Sequence, residues 1–294
     1  MIQLHKKELQ EIKRNLTSAS WHIYGIERGV GISCMLKYLE QNPSEGFIAI
    51  YQDMGLCTDL EGLVKELYDI CIRKELLILV DKEPNFNLLG LRSIFEQLVV
   101  SNNVIWILDH LDELFSKKRS KDFNRDFFNA LNALTRVDGV RLLIVTRKPL
   151  RDEEYYDIES RTYKDSPLDL PSKSIPRLKR LEAEELLYHH TSNKEQFEAI
   201  KQIFSQFDQI NRQGYLPLDI IILCDLIVNR LNRGIKIDKK ECKAIRKEFL
   251  RKRPPKGPAI RRIGRIMDRI DRWVKVLVPF RIPWEKLLAL FKKS

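Results

Sequence analysis

The chain of 294 residues contains no uninterrupted apolar run near the roughly 18 residues of a membrane-spanning helix. Its first residues, Met1-Ile2-Gln3-Leu4-His5-Lys6-Lys7, lack the apolar core of a signal peptide. A soluble, cytoplasmic protein is therefore expected. Cysteine is scarce: the five residues Cys34, Cys57, Cys71, Cys224 and Cys242 are odd in number and show no C-x-x-C spacing. That pattern points to buried thiols and away from a zinc site or a disulfide framework. The pair His189-His190 has no third ligand at metal spacing and reads as surface. What the chain does have is 44% hydrophobic and 32% charged residues, enough for a sizeable core in one large domain plus an appendage.

The formal net charge of +11 is unevenly spread. Residues 230–294 hold 22 Lys and Arg against 6 Asp and Glu, whereas residues 1–229 hold 30 against 35. Such asymmetry describes a basic appendage suited to phosphates or anionic lipid, attached to a slightly acidic body. Within the tail, Pro254-Pro255 ends a basic helix that begins at Lys239. Beyond it Ile260, Ile263, Met267, Ile270, Val274 and Leu277 recur at helical spacing among arginines. Three readings are open for that stripe: a helix packed on the body or on a partner, a membrane-surface helix, or an arm on nucleic acid.

The body alternates between two periodicities. An amphipathic helix is expected over 4–16, and the short apolar run Trp21-His22-Ile23-Tyr24 suits a buried first strand ending at Gly25. Helices follow over about 31–39, from the cap Thr58-Asp59 to Ile72, over 88–99 and over 122–134. Strands are expected at 46–53, 104–108 and 140–146, the last two nearly all apolar, as in the middle of a parallel sheet. Strands separated by helices predict right-handed crossovers and a three-layer α/β fold with both sheet faces covered.

Between the first strand and the next helix lies Ile26-Glu27-Arg28-Gly29-Val30-Gly31-Ile32-Ser33. It follows the phosphate-loop pattern G-x-x-x-x-G-K-[ST], in which backbone N–H groups wrap the phosphates, lysine reaches the β and γ phosphates, and the hydroxyl holds Mg²⁺. Gly29, Val30, Gly31 and Ser33 fit; Ile26 stands at the first glycine and Ile32 at the lysine. Arg28 is a cation within the loop that could reach back toward a phosphate, although not from the lysine's position. The strand 104–108 ends in Asp109, which places a carboxylate at the sheet's carboxyl edge, where this loop must also lie and where Asp109 could hold Mg²⁺ through water. The cluster Asp109-His110-Leu111-Asp112-Glu113 has a plainer reading too, as an acidic helix start. His110 could accept a proton from an attacking water or be a hydrogen-bonded structural histidine. Glu113, four residues beyond Asp109, could substitute from the same face.

Taken together and in order, five segments resemble the P-loop ATPases of the AAA+/STAND group. They are residues 24–36, 104–114, 140–150 with Thr146-Arg147, 175–187 with its Leu-x-x-Leu-x-x-x-Glu-Ala-like spacing, and Gly214-Tyr215-Leu216-Pro217-Leu218. The resemblance covers about residues 1–230. It implies an α/β P-loop core over 1–170, a helical lid over 171–230 and a basic extension over 231–294. It also implies ATP or ADP with Mg²⁺ as ligand, held by backbone groups of Gly29 to Ser33, with Ser33 and Asp109 on the metal. Thr146 and Arg147 are then expected to sense the γ-phosphate and Pro217 to lie near the base. The lost lysine removes a charge-assisted contact on the order of 1.5–3 kcal/mol, so ATP binding is expected to be weak or absent and hydrolysis slow at best. Three functions fit: a nucleotide- or partner-governed switch, including one that acts as a homo-oligomer; an ATPase on nucleic acid that uses residues 239–294; and a nucleotide-free scaffold. The same basic residues 239–294 also suit an anionic membrane surface.

Overall fold

The computed structural model describes residues 4–25, 29–77, 84–189, 191, 197–198, 200–201, 214–235 and 237–252. The architecture that follows belongs to the unit Met1–Leu250.

The main sheet has five parallel strands in the order β2-β3-β4-β1-β7: β1 (Trp21–Tyr24), β2 (Phe47–Asp53), β3 (Asn103–Asp109), β4 (Val140–Thr146) and β7 (Ser172–Ser174). An antiparallel hairpin, β5 (Glu154–Asp157) and β6 (Thr162–Asp165), interrupts the return from β4 to β7. Helices α1 (Lys6–Leu16), α2 (Ile32–Gln41), α3 (Leu60–Arg73), α4 (Leu88–Leu98) and α5 (Arg125–Leu134) flank the sheet, and α6 (Arg180–His189), α7 (Pro217–Asn232) and α8 (Lys239–Lys252) form a helical lobe. Among the described residues no helix is long and apolar enough to cross a membrane.

Why β3 is apolar throughout is visible in its packing. Val104, Trp106 and Leu108 point toward the face covered by α3, α4 and α5, whereas Ile105 and Ile107 point toward the face covered by α1 and α2. All five are fully buried, as a parallel strand covered on both faces requires. The lobe has its own core, in which Leu186, Leu187, Ile220, Leu223, Ile227, Ile245 and Phe249 pack together with Leu4 of the chain's start.

The starts of α3, α4 and α5 are fixed by side-chain caps. The α3 cap is Asp59, whose Oδ1 accepts the Gly62 N–H at 2.7 Å, with Thr58 Oγ1 donating to the other carboxylate oxygen. α5 begins three residues later than the spacing predicts. Asn124 is extended and its Oδ1 accepts from the N–H groups of Asp126 and Phe127, so Phe123 lies outside the helix though fully buried. The acidic run after β3 forms a short 3-10 helix, Leu111–Phe115.

Candidate functional site

The carboxyl ends of β1, β2, β3 and β4 converge on one cleft of about 670 Å³. On one side the chain leaves β1 and turns through Gly29 (φ 84°) and Gly31 (φ 91°) into α2. Both values lie in the left-handed region, where a β-carbon is strained. The first helical hydrogen bond runs from Met35 N–H to the Gly31 carbonyl, so the N–H groups of the first turn have no intrahelical acceptor and stand at the positive end of the helix dipole. Ile26, Glu27 and Arg28 lie outside the described residues.

The turn is seated from behind by the lobe. A β-carbon on Gly29 would come within 2.7 Å of Leu218 Cβ, and one on Gly31 within 2.9 Å of Leu4 and 3.1 Å of Pro217. The Leu218 N–H donates to the Gly29 carbonyl at 3.3 Å. The ring of His5, 1% exposed, meets the Val30 carbonyl through Nε2 at 2.7 Å. Ile32, at the lysine position, is partly buried against the α1/α2 core. Its Cδ1 fills the space where a side chain on Gly25 would begin, 2.6 Å from that site.

Opposite the turn, Asp109 is 1% exposed and accepts from three donors. Its Oδ2 accepts from Ser33 Oγ at 2.8 Å and from the Tyr51 hydroxyl at 2.9 Å, and its Oδ1 accepts the His110 backbone N–H at 3.0 Å. Ser33 and Asp109, separated by 76 residues in sequence, thus meet at the point expected from the strand-end argument. Burial and the Asp109 charge push the Tyr51 phenol well above its ordinary pKa, so it remains a donor.

Two of these residues have no counterpart in the sequence reading. Tyr51 is one, and Asp53 is the other. The parallel register pairs Asp53 with Asp109, so two carboxylates end adjacent strands side by side. The Asp53 Oδ1 accepts both the Gly55 N–H and the His110 Nδ1–H, each at 2.9 Å. His110 itself has a left-handed backbone, φ 58°. The signal that could have found Asp53 was present: a polar residue closing an apolar strand, as Asp109 does.

Thr146, Arg147 and Glu113 also line the cleft, but their polar atoms are committed elsewhere. Thr146 Oγ1 donates to the Lys148 carbonyl and accepts His22 Nε2–H at 2.7 Å. His22 is fully buried, and burial pushes its pKa down to about 4, so the ring is neutral. Arg147 pairs through Nε with Asp112 Oδ2 at 2.9 Å and through Nη2 with Glu113. Glu113 is accordingly a partner of Arg147, and neither is disengaged in this arrangement. Pro217 opens α7 behind the turn, against Gly31. Among the described residues no group of three or more His, Cys, Asp and Glu side chains converges as for a metal ion. The hydroxyl and carboxylate of Ser33 and Asp109 are the hard oxygen donors that suit Mg²⁺.

The fold that carries this site is shared with solved structures. The chain has the P-loop NTPase fold. The ORC2 protein of Aeropyrum pernix in its ADP form superposes with a TM-score of 0.56 at 15% identity, covering 84% of this chain and 68% of that one. Its form with ADPNP and ADP superposes at 0.57 and 14%, with the same coverage. A Walker-type ATPase of Pyrococcus abyssi gives 0.54 at 15%, over 99% of this chain and 88% of that one. At such identities the likeness is one of fold. No family description and no curated protein matches the sequence.

Proposed function

We propose that this chain is a nucleotide-binding module of the AAA+ class and the STAND kind, a regulatory switch governed by nucleotide or by a partner protein, with ATP hydrolysis weak or lost. The observation that carries the reading is the Ser33–Asp109 contact of 2.8 Å across the glycine turn. It brings a helix-opening hydroxyl and a strand-ending carboxylate to one point beside backbone donors that have no intrahelical acceptor, as a phosphate site requires. In this reading the phosphates of ADP or ATP lie on the N–H groups of Gly29 to Ser33, and the base lies toward Pro217. Ser33 and Asp109 would hold Mg²⁺, whose contribution is to neutralise phosphate charge.

Weak turnover follows from what faces the outer phosphate. Ile32 offers no cation, the Thr146 proton is used by the Lys148 carbonyl, and Arg147 is held by two carboxylates. Among the described residues Asp53, Asp109 and Glu113 line the same cleft against the single arginine Arg147, so a γ-phosphate meets an excess of negative charge. Ile32→Lys tests the reading. Restoring one charge-assisted contact should raise ATP affinity about tenfold or more in calorimetric titration. Equal affinities in two folded proteins would mean that the turn is not a phosphate cradle.

A second reading, an ATPase associated with nucleic acid, is favoured by α8. Lys240, Lys243, Arg246, Lys247 and Arg251 are exposed along it, and the residues beyond it are strongly basic. Removal of residues 255–294 should then weaken binding to duplex DNA and flatten its dependence on salt, because fewer counterions are released. Unchanged binding, or binding that persists only on anionic vesicles at high salt, would favour protein or lipid as the partner.

A further inference from the structure

We propose that Tyr51 governs the metal side of this cradle: its hydroxyl competes with Mg²⁺ for Asp109, so the metal adds little to nucleotide affinity. The inference rests on the nucleotide-binding reading above and concerns a residue that the phosphate-loop pattern does not include.

The contest is at the buried carboxylate of Asp109. A carboxylate that is 1% exposed must have its charge answered by donors. Here the protein supplies three, and two of them, Ser33 Oγ and Tyr51 Oη, point at the same oxygen. For Mg²⁺ to sit between Ser33 and Asp109, that oxygen must ligate the ion or accept from a water of its shell, and Tyr51 already occupies the approach. The phenol is not a loose competitor. Its ring packs against the α1/α2 side of the sheet from the middle of a paired strand, so releasing the hydroxyl strands a half-buried donor.

The neighbouring carboxylates are partly committed as well: Asp53 accepts from His110 and Gly55 through Oδ1, and Glu113 Oε1 pairs with Arg147. Mg²⁺ demands near-octahedral oxygen ligation and gives up its waters reluctantly, and an Asp109 oxygen already shared by Ser33 and Tyr51 meets that demand poorly. Phosphate charge is then answered by the backbone N–H groups at the start of α2, which need no metal.

The experiment is calorimetric titration of ADP into the full chain, in excess Mg²⁺ and in EDTA, for the wild type and Tyr51→Phe. The variant keeps the ring and removes only the hydroxyl. The wild type is expected to bind with dissociation constants within about threefold in the two media. Tyr51→Phe is expected to bind about tenfold tighter in Mg²⁺ than in EDTA, the factor that one released hydrogen bond of ordinary strength allows. Electron paramagnetic resonance with Mn²⁺ gives a second readout: in the presence of ADP the variant should retain Mn²⁺ more tightly than the wild type. A wild type that already binds about tenfold tighter with Mg²⁺ overturns the role of Tyr51 and leaves the nucleotide reading standing. So does a variant as indifferent to Mg²⁺ as the wild type. Absence of ADP binding by both proteins in both media overturns the nucleotide reading, and this inference with it.

Discussion

Mild acid should destabilise this protein through a single buried ring. His22 is fully buried on β1, stacked on Tyr24 with centroids 5.6 Å apart, and its Nε2–H is given to Thr146. Its Nδ1 is buried with no partner among the described residues. A proton added there would leave an N–H without an acceptor and a charge without water. Burial therefore holds the ring at a pKa of about 4, against about 6.5 in an unfolded chain. The unfolded state takes up the proton first. The stability associated with the neutral ring is complete above about pH 6.5 and is lost as pH falls toward the folded value. The loss amounts to about 2 kcal/mol at pH ~5 and about 3 kcal/mol at the limit. Urea unfolding near pH 7.5 and near pH 5, on the wild type and on His22→Gln, isolates it from every other titrating group. The glutamine amide can still donate to Thr146, so the comparison removes the titration and keeps the hydrogen bond. The wild type should lose about 2 kcal/mol more than the variant between the two conditions. Parallel losses, or a cationic His22 signal in the NMR spectrum of the folded protein near pH 5.5, would refute the reasoning.

Other expectations concern the turn and the ion pairs around it. Gly29→Ala should cost about 2 kcal/mol of stability, since it adds left-handed strain to a collision with Leu218; a melting temperature within about 2 °C of the wild type would show that the lobe yields instead. Glu113→Gln removes one partner of a half-exposed Arg147, so stability should change by less than about 1 kcal/mol. ATP affinity should nevertheless rise, because Arg147 gains freedom and the cleft loses a negative charge; an unchanged or weaker affinity in titration would separate Arg147 from the phosphate site.

The parts legible in the sequence are those where burial writes a pattern. β3 and β4 are covered on both faces, so their residues are apolar without alternation, and the strands stand where the runs do. Ser33 and Asp109 could be joined on paper because both end elements at one sheet edge. β7 could not be seen: Ser172-Lys173-Ser174 is a three-residue polar edge strand held by backbone pairing to β1, and it carries no hydrophobic signal. The β5–β6 hairpin was hidden for a similar reason, since all four residues of β6 are exposed. Tyr51 and Asp53 depend on the register between β2 and β3, a fact of tertiary structure that neither strand encodes alone. The same holds for Thr146 and Arg147, whose partners His22, Asp112 and Glu113 come from other elements.

The way α7 rests on the glycine turn has a mechanical consequence. Gly29 and Gly31 present no side chains, so Leu218 and Pro217 bear directly on main chain, and nothing compliant lies between loop and helix. The helix is 16 residues long, about 24 Å from end to end. A tilt of roughly 5° at its foot therefore carries its far end about 2 Å. That far end holds Arg230, clasped by Glu241 and Glu248 of α8. A small change in the path of the turn would thus be delivered, enlarged by leverage, to the helix that bears the exposed lysines.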